Sequence, residues 1–145
     1  MFEVVRTKIQ EKLSGISQIQ EVQEYPSEEF GGFPVAVVKS TRNDSRFETN
    51  RANERDYIFT VYLMQDIESV GMRKARRIIE GLVDIVIDAF DNDQQLEAVG
   101  LQTALPNNKM VVIVFPVMTN LGLSENEKYV AAELEIRVKI SFSIT

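Results

Sequence analysis

Closely spaced carboxylates in the segment DNDQQLE, residues 91–97, are the first candidates for chemistry in this chain. An Asp-x-Asp pair opens the calcium loop of EF-hand proteins, where carboxylate and carbonyl oxygens surround the ion. That loop also needs glycine at its sixth position and glutamate at its twelfth, but these positions hold Leu96 and Gln102. We therefore interpret the segment as the polar end of a helix and expect no metal site.

Other catalytic and cofactor-binding patterns are incomplete as well. The Gly31-Gly32 pair is followed by an aromatic residue and a proline, not by the Gly-Lys-Ser/Thr of a phosphate-binding loop. No serine lies in a Gly-x-Ser-x-Gly elbow. The chain has no cysteine and no histidine, which excludes thiol nucleophiles, cysteine–zinc sites and histidine bases. Carboxylates and lysines remain, but the sequence favours a protein that is not an enzyme and has no cofactor.

The bulk composition indicates a globular protein. The chain has 145 residues, of which 44% are hydrophobic and 26% charged, enough for one domain with a core. No apolar run is long enough to span a bilayer, and charges interrupt the N-terminal MFEVVRTKIQEKL, so we expect neither a membrane segment nor a secretory signal. The net charge of −6 argues against nucleic-acid binding as the main role, because duplex affinity comes largely from cations.

Four cations crowd the first turns of the longest predicted helix, residues 66–90. They are Arg73, Lys74, Arg76 and Arg77. The helix dipole favours anions at this end, although Arg76 and Arg77 have the spacing to pair with Glu80. These cations form either a solvated surface or a patch that meets an acidic surface of another subunit. Gly81, in the middle of the same helix, predicts a close approach by another part of the backbone.

A second group of charges lies in residues 41–56, TRNDSRFETNRANERD, where Phe47 is the only large apolar side chain. So little apolar surface predicts a long polar loop. The loop is either a mobile surface segment or a protein-binding arm that becomes ordered on assembly, with Phe47 as its anchor. Its candidate interface residues are Arg42, Arg46, Phe47, Glu48, Arg51 and Arg55.

The C-terminal segment AAELEIRVKISFSIT alternates apolar and polar residues, which predicts a two-faced strand over residues 130–144. About 14 residues at ~3.3 Å each would reach ~46 Å, longer than most strands. The strand is either ordinary and half-solvated, or it outruns its neighbours and packs against another chain. The charges on its polar face change once along the strand, from negative to positive. The candidate interface residues there are Glu133, Glu135, Arg137 and Lys139.

The remaining patterns place these candidates on an α+β fold. Helical spacing predicts a first helix over residues 2–13. Further predicted strands cover residues 17–25, 33–40, 57–64, 96–105 and 110–118, and a further loop covers 119–129. Pro116 predicts that the strand over 110–118 is bent or lies at an edge of the sheet. The order α-β-β-loop-β-α-β-β-β predicts a single domain, residues 1–145, in which two α-helices pack on one face of a mostly antiparallel β-sheet.

Three segments give the chain a family resemblance: ERDYIFTVYLMQ (54–65), RKARRIIEGLVDIVIDAF (73–90) and YVAAELEIRVKISFSI (129–144). The chain resembles the tail terminator, or tail-completion, proteins of tailed bacteriophages, a group that also supplies head–tail joining proteins. In that family a strand beginning Arg-x-Tyr follows a polar loop, and Arg55, Asp56 and Tyr57 occupy that place here. A long helix, further strands and a two-faced closing strand follow in the same order.

The resemblance implies a structural virion protein. Family members form a ring, typically of six copies, on the last disc of the tail tube, end tube polymerisation and provide the docking surface for the head connector or neck. The implied partners are therefore further copies of the chain, the tail tube protein and the connector protein, with DNA passing through the channel without sequence-specific binding. The implied location is the tail–neck junction of a virion made in the host bacterial cytoplasm.

Three alternatives stay open at this point. The chain could be a neck, joining or tail tube protein of the same fold, a small α+β ligand-binding or enzymatic domain, or a cellular adaptor. Concentration-dependent assembly favours the ring protein. A concave pocket with perturbed titratable groups favours the ligand-binding domain or the enzyme.

Overall fold

A five-stranded, mostly antiparallel β-sheet with helices packed against it makes this an α+β fold, as the sequence predicted. The computed structural model describes residues 1–24, 30–47, 52–124 and 126–143. The elements are α1 (Phe2–Ser14), β1 (Glu21–Gln23), β2 (Val35–Phe47), β3 (Ala52–Asp66), α2 (Met72–Asp91), a 3-10 turn (Glu97–Val99), α3 (Leu101–Ala104), β4 (Lys109–Leu123) and β5 (Tyr129–Ser143).

The closing strand lies inside the sheet, whose strand order is β1-β2-β3-β5-β4. Of the strand pairs in the described part of the chain, the β1–β2 pair alone is parallel. On one side β5 pairs with β3 along its whole length, from Tyr129 opposite Asp66 to Ser143 opposite Ala52, and on the other side it pairs with β4. The prediction that this strand outruns its neighbours is therefore wrong for the described residues, because its length is matched by two equally long partners.

The hydrophobic core lies between one face of the sheet and the helices. Strand periodicity sends alternate residues of β5 into this core and the others to the opposite face. The helices contribute apolar stripes at helical spacing, which include Val5, Ile9 and Leu13 of α1 and Ile79, Val86 and Phe90 of α2. We call the sheet face toward α1 and α2 the helix face, and the other the open face.

The predicted loop over residues 41–56 is wrong, because β2 continues to Phe47 and β3 begins at Ala52. The two strands form a hairpin in which Asp44 lies opposite Asp56 and Phe47 opposite Asn53. The polar hairpin does not depend on its own apolar content, because residues 52–56 also pair with residues 139–143 of β5. Backbone pairing with a distant strand thus orders a segment whose composition is typical of a loop.

The predicted strand over residues 96–105 is also wrong. Leu96 and Gly100 adopt positive φ angles of 50° and 70°, which interrupt an extended chain, and the segment forms the 3-10 turn and α3. Leu96, Leu101 and Leu105 are buried in the common core at a spacing of four to five residues, which suits helical turns rather than a strand.

Several boundaries differ from the prediction. β1 has only three residues, α2 begins at Met72 rather than at residue 66, and β4 runs on to Leu123 through the first five residues of a predicted loop. Gly81 marks no close approach, because a Cβ added there would meet nothing within 4 Å outside its own helix. Within the described residues, no helix is long and apolar enough to cross a membrane.

Candidate assembly surfaces

Glu133, Glu135, Arg137 and Lys139 lie side by side on the open face of β5, where the alternation of the sequence placed them. Glu135 joins two arginines: Arg137 Nη2 lies 3.1 Å from its Oε2, and Arg42 Nη1 of β2 lies 3.5 Å from its Oε1. Lys139 Nζ lies 3.7 Å from Glu54 Oε2 on β3. These acids and bases therefore pair with one another across three strands of a single subunit.

Glu133 belongs to the same open-face cluster through Tyr62, its direct neighbour on β3. Burial raises the pKa of the Tyr62 phenol, and both the charge of the Glu133 carboxylate and a hydrogen bond to it raise that pKa further. The phenol thus donates to Glu133 at any physiological pH, since an ordinary tyrosine already titrates near pH ~10. The open face of β3 and β5 is a connected polar surface.

Arg55, predicted to lie in an interface loop, instead projects from β3 toward the helix face. Its guanidinium carbon lies 4.6 Å from the centroid of the Phe142 ring, a cation–π arrangement. Three buried polar atoms close to this end of β3 have no hydrogen-bond partner in the described chain: Asn53 Oδ1, Arg55 Nε and Asp56 Oδ1. Unsatisfied buried polar atoms of this kind cost about 1–3 kcal/mol each.

The other hairpin candidates divide between described and undescribed residues. Arg46 and Phe47 lie in β2, with their backbones opposite Glu54 and Asn53. Glu48 and Arg51 lie outside the described residues. The interface role of these four residues stays a prediction.

The cations of α2 lie in the helix layer, on the other side of the sheet from the charges of β5. Arg73, Arg76 and Arg77 are exposed, and Arg76 Nε pairs with Glu80 Oε1 at 3.0 Å, as their spacing predicted. The N-cap residue before this helix is Gly71, which supplies no side-chain cap, and the first turn has no acidic residue. The structure thus gathers the β5 charges with Arg42, but it does not bring the α2 cations to the same surface.

Sequence reasoning missed the strongest candidate surface, which is the outer edge of β4. This fifteen-residue strand is the last in the sheet order. It exposes five large apolar side chains: Met110 (64% exposed), Val112 (40%), Val117 (42%), Met118 (46%) and Leu123 (49%). The available signal was the apolar run MVVIVFPVM, which is typical of a buried strand. Pro116 predicted a strand that is bent or lies at an edge, and the strand order shows that it lies at an edge.

The free part of that edge is its second half. Backbone N–H groups of Val111 and Val114 donate to Gln102 Oε1 at 2.8 Å and to the Gln94 carbonyl at 2.6 Å. For residues 115–123, the described chain supplies no strand or backbone partner on the outer side. Pro116, which has no N–H to donate, is a residue that edge strands tolerate. We call residues 115–123 the free edge.

Asp93, in the DNDQQLE segment, has a structural role. Asp93 accepts hydrogen bonds from the backbone N–H groups of Glu97 and Ala98 at 2.8 and 3.2 Å, and its Oδ2 lies 2.9 Å from Lys12 Nζ. Among the described residues, no three acidic side chains are grouped so that they could hold a metal ion. The interpretation of DNDQQ as a polar helix end agrees with this geometry.

Comparison with known proteins adds no family to these observations. Neither a protein-family model nor a curated protein sequence matches this chain.

Proposed function

We propose that this chain is the ring-forming subunit of a phage tail terminator, a structural virion protein without catalytic activity or cofactor. Its ring caps the tail tube, ends tube polymerisation and presents the docking surface for the head connector. The observation that carries the self-assembly is the free edge of β4. The tube and connector partners, the copy number of six and the location at the tail–neck junction rest on the resemblance of the sequence to that family.

The free edge combines two features that a subunit surface needs. Its outward backbone groups have no partner in the described chain, and three of the five exposed apolar side chains, Val117, Met118 and Leu123, lie along it. Native proteins cover or blunt long apolar edges, because such edges pair with other chains. Pairing with a neighbouring subunit would satisfy the backbone and remove the apolar side chains from water together.

The opposite side of the sheet offers a second edge for the same contact. Among the described residues, β1 pairs with residues 35–37 of β2, whereas β2 continues to Phe47. A strand added to β2 beyond residue 37 would extend the sheet of one subunit into the sheet of the next. Two different edges that meet in this way make a head-to-tail contact, which closes into a ring when the rotation between copies allows it.

The open face suits a surface that DNA passes without strong binding. The open-face cations Arg42, Arg137 and Lys139 are each within 4 Å of a carboxylate of the same chain. The chain as a whole carries a net charge of −6. Affinity for duplex DNA comes mainly from cations that displace counterions from phosphates, and paired cations on an acidic protein supply little of it.

The experiment replaces free-edge apolar side chains with charges. Lysine on an edge strand opposes edge-to-edge pairing, so the double variant Val117→Lys/Met118→Lys should fail to form rings at concentrations where the unaltered protein forms them. Sedimentation velocity over a wide concentration range and negative-stain electron microscopy measure this. The matched control is Ile85→Lys, which replaces a residue of similar exposure (37%) that lies on α2 rather than on the edge strand.

Three outcomes decide the proposal. Rings in the unaltered protein and in Ile85→Lys, but not in the double variant, support it, provided that both variants keep the thermal midpoint of the unaltered monomer. Monomers at every concentration overturn self-assembly as the function. Rings that bind purified connectors but not tail tubes overturn the terminator role in favour of a neck or joining protein.

A further inference from the structure

An aromatic cleft lies at the end of the sheet where β3 finishes and β5 begins. Phe30, Phe33 and Tyr129 contact one another with ring centroids 5.5 to 6.0 Å apart, mostly edge to face. They line one wall of a cavity of about 740 Å³. Half-buried rings in a surface cavity of this size form a site into which another group can insert.

The other wall of the cleft is acidic. Asp66, Glu68 and Glu127 line it, and Lys128 is the single base among the lining residues that the structure describes. Three carboxylates against one ammonium give this wall a net negative charge. The Asp66 carboxylate is held in place, because its Oδ1 accepts from Ser69 Oγ at 2.6 Å.

The fold fixes the two walls relative to each other. Tyr129 and Asp66 are direct cross-strand partners at the ends of β5 and β3. The N–H of Ile67 donates to the Lys128 carbonyl at 3.0 Å and so joins the two chain segments just beyond that pair. Phe33 lies two residues before the first residue of β2, the strand next to β3. Rings and carboxylates therefore face one cavity through backbone pairing rather than through flexible loops alone.

We propose that this cleft binds the guanidinium group of an arginine side chain from a partner protein. The planar guanidinium stacks on aromatic faces while its N–H groups pair with carboxylates, so one group would use both walls of the cleft. An anion would be repelled by the acidic wall. A neutral apolar group would leave carboxylates in contact with a surface that cannot pair with them.

The test uses a pair of small probes of the same shape. Nα-acetyl-arginine amide carries the guanidinium, whereas Nα-acetyl-citrulline amide carries a neutral urea in its place. In an NMR titration of the protein, the arginine probe should shift the signals of Phe30, Phe33 and Tyr129 saturably, and the citrulline probe should bind about fivefold more weakly or worse. Added salt should weaken the arginine probe, because the acidic wall is exposed to solvent.

Two variants separate the contributions of the aromatic wall and the acidic wall to binding of the arginine probe. Phe30→Leu removes an aromatic face, and the double variant Glu68→Gln/Glu127→Gln removes two exposed charges without a change of shape. Each should weaken the arginine probe severalfold. Phe115→Leu, on the open face of β4, is the control and should bind the probe like the unaltered protein. Because Glu68 and Glu127 are exposed, the double variant keeps the test valid if Phe30→Leu fails to fold.

The inference does not depend on ring formation, since the titration can be read in the assembly-deficient Val117→Lys/Met118→Lys protein. Equal affinity for the arginine and citrulline probes overturns it. So does unchanged binding in the Glu68→Gln/Glu127→Gln protein. Tighter binding of choline than of the arginine probe also overturns it, because the cleft would then serve a free quaternary ammonium compound rather than a protein side chain.

Discussion

The side chain of Gln102 pairs with the backbone of Val111 as a neighbouring strand would. Gln102 Oε1 accepts from the Val111 N–H at 2.8 Å, and Gln102 Nε2 donates to the carbonyl of Lys109 at 2.9 Å. The carbonyl of Gln94 serves Val114 in the same manner. The segment between α2 and β4 thus closes the first half of the β4 edge, and the free edge begins where this cover ends.

We predict that Gln102→Ala lowers the free energy of unfolding by about 1–3 kcal/mol, because the N–H of buried Val111 then has no acceptor. Urea denaturation measures the difference. Gln95→Ala is the control, since its side chain is exposed and no hydrogen bond from it is found within the described residues; it should stay within about 0.5 kcal/mol. Equal destabilisation by both variants would show that the pairing contributes nothing.

Lys12 and Asp93 tie the end of α1 to the turn after α2, and this contact predicts a pH dependence. Burial raises the pKa of Asp93, but hydrogen bonds from Lys12 and from the N–H groups of Glu97 and Ala98 outweigh burial and place the pKa below its ordinary value. A depressed pKa in the folded state means that the carboxylate stabilises the fold fully above the unfolded-state pKa of about 3.9. That stabilisation is lost as the pH falls through the folded-state pKa.

Asp93→Asn should therefore be less stable than the unaltered protein at pH 7, and the difference should shrink toward zero in acid. Urea unfolding at a series of pH values measures it. Asp84→Asn, an exposed substitution on α2, is the control and should change stability little at pH 7. A difference for Asp93→Asn that stays constant down to the most acidic pH would mean that the charge of the carboxylate is irrelevant.

Local periodicity predicted the elements that bury one face along their own length. The helical stripes of α1 and α2 and the alternation of β5 each reflect one buried face, so these elements were found. The hairpin of β2 and β3 could not be found in that way, because pairing with residues 139–143 holds its polar strands. The strand prediction for residues 96–105 failed for a different reason. The leucines of this segment fill the core from irregular turns, and no alternation pattern reveals the positive φ angles of those turns.

Prediction of the candidate surfaces depended even more on knowing the arrangement of the strands. The open face of β5 followed from alternation alone, and Glu135 indeed lies there with Arg137. Pro116 left open whether β4 is bent or at an edge, and the strand order decided for the edge. Arg55 needed the register of β3 to show that it points toward the helix face. The aromatic cleft joins Phe30 and Tyr129, about a hundred residues apart, and no spacing in the sequence indicates that.

Gly81→Ala should stabilise the protein by about 0.5–1 kcal/mol. The position is exposed in the middle of α2 with nothing within 4 Å of an added Cβ outside the helix, so the higher helix propensity of alanine acts unopposed. Thermal and urea denaturation measure the gain. Gly100→Ala should instead lower the stability, because Gly100 has a φ of 70° and alanine there is strained by about 1–2 kcal/mol. Loss of stability in Gly81→Ala would indicate a contact that the single subunit does not show.

Ile136→Ala should separate the role of the buried face of β5 from that of the free edge. Ile136 is fully buried at the centre of the sheet, so loss of its methyl groups should lower the free energy of unfolding by about 2–5 kcal/mol. Val117→Ala, at a position 42% exposed on β4, should change the unfolding free energy by less than about 0.5 kcal/mol while weakening assembly. Urea denaturation and sedimentation velocity on the same preparations measure both quantities. If Ile136→Ala unfolds like the unaltered protein, the two faces of β5 are assigned the wrong way round, and the polar row from Glu133 to Lys139 cannot belong to the open face.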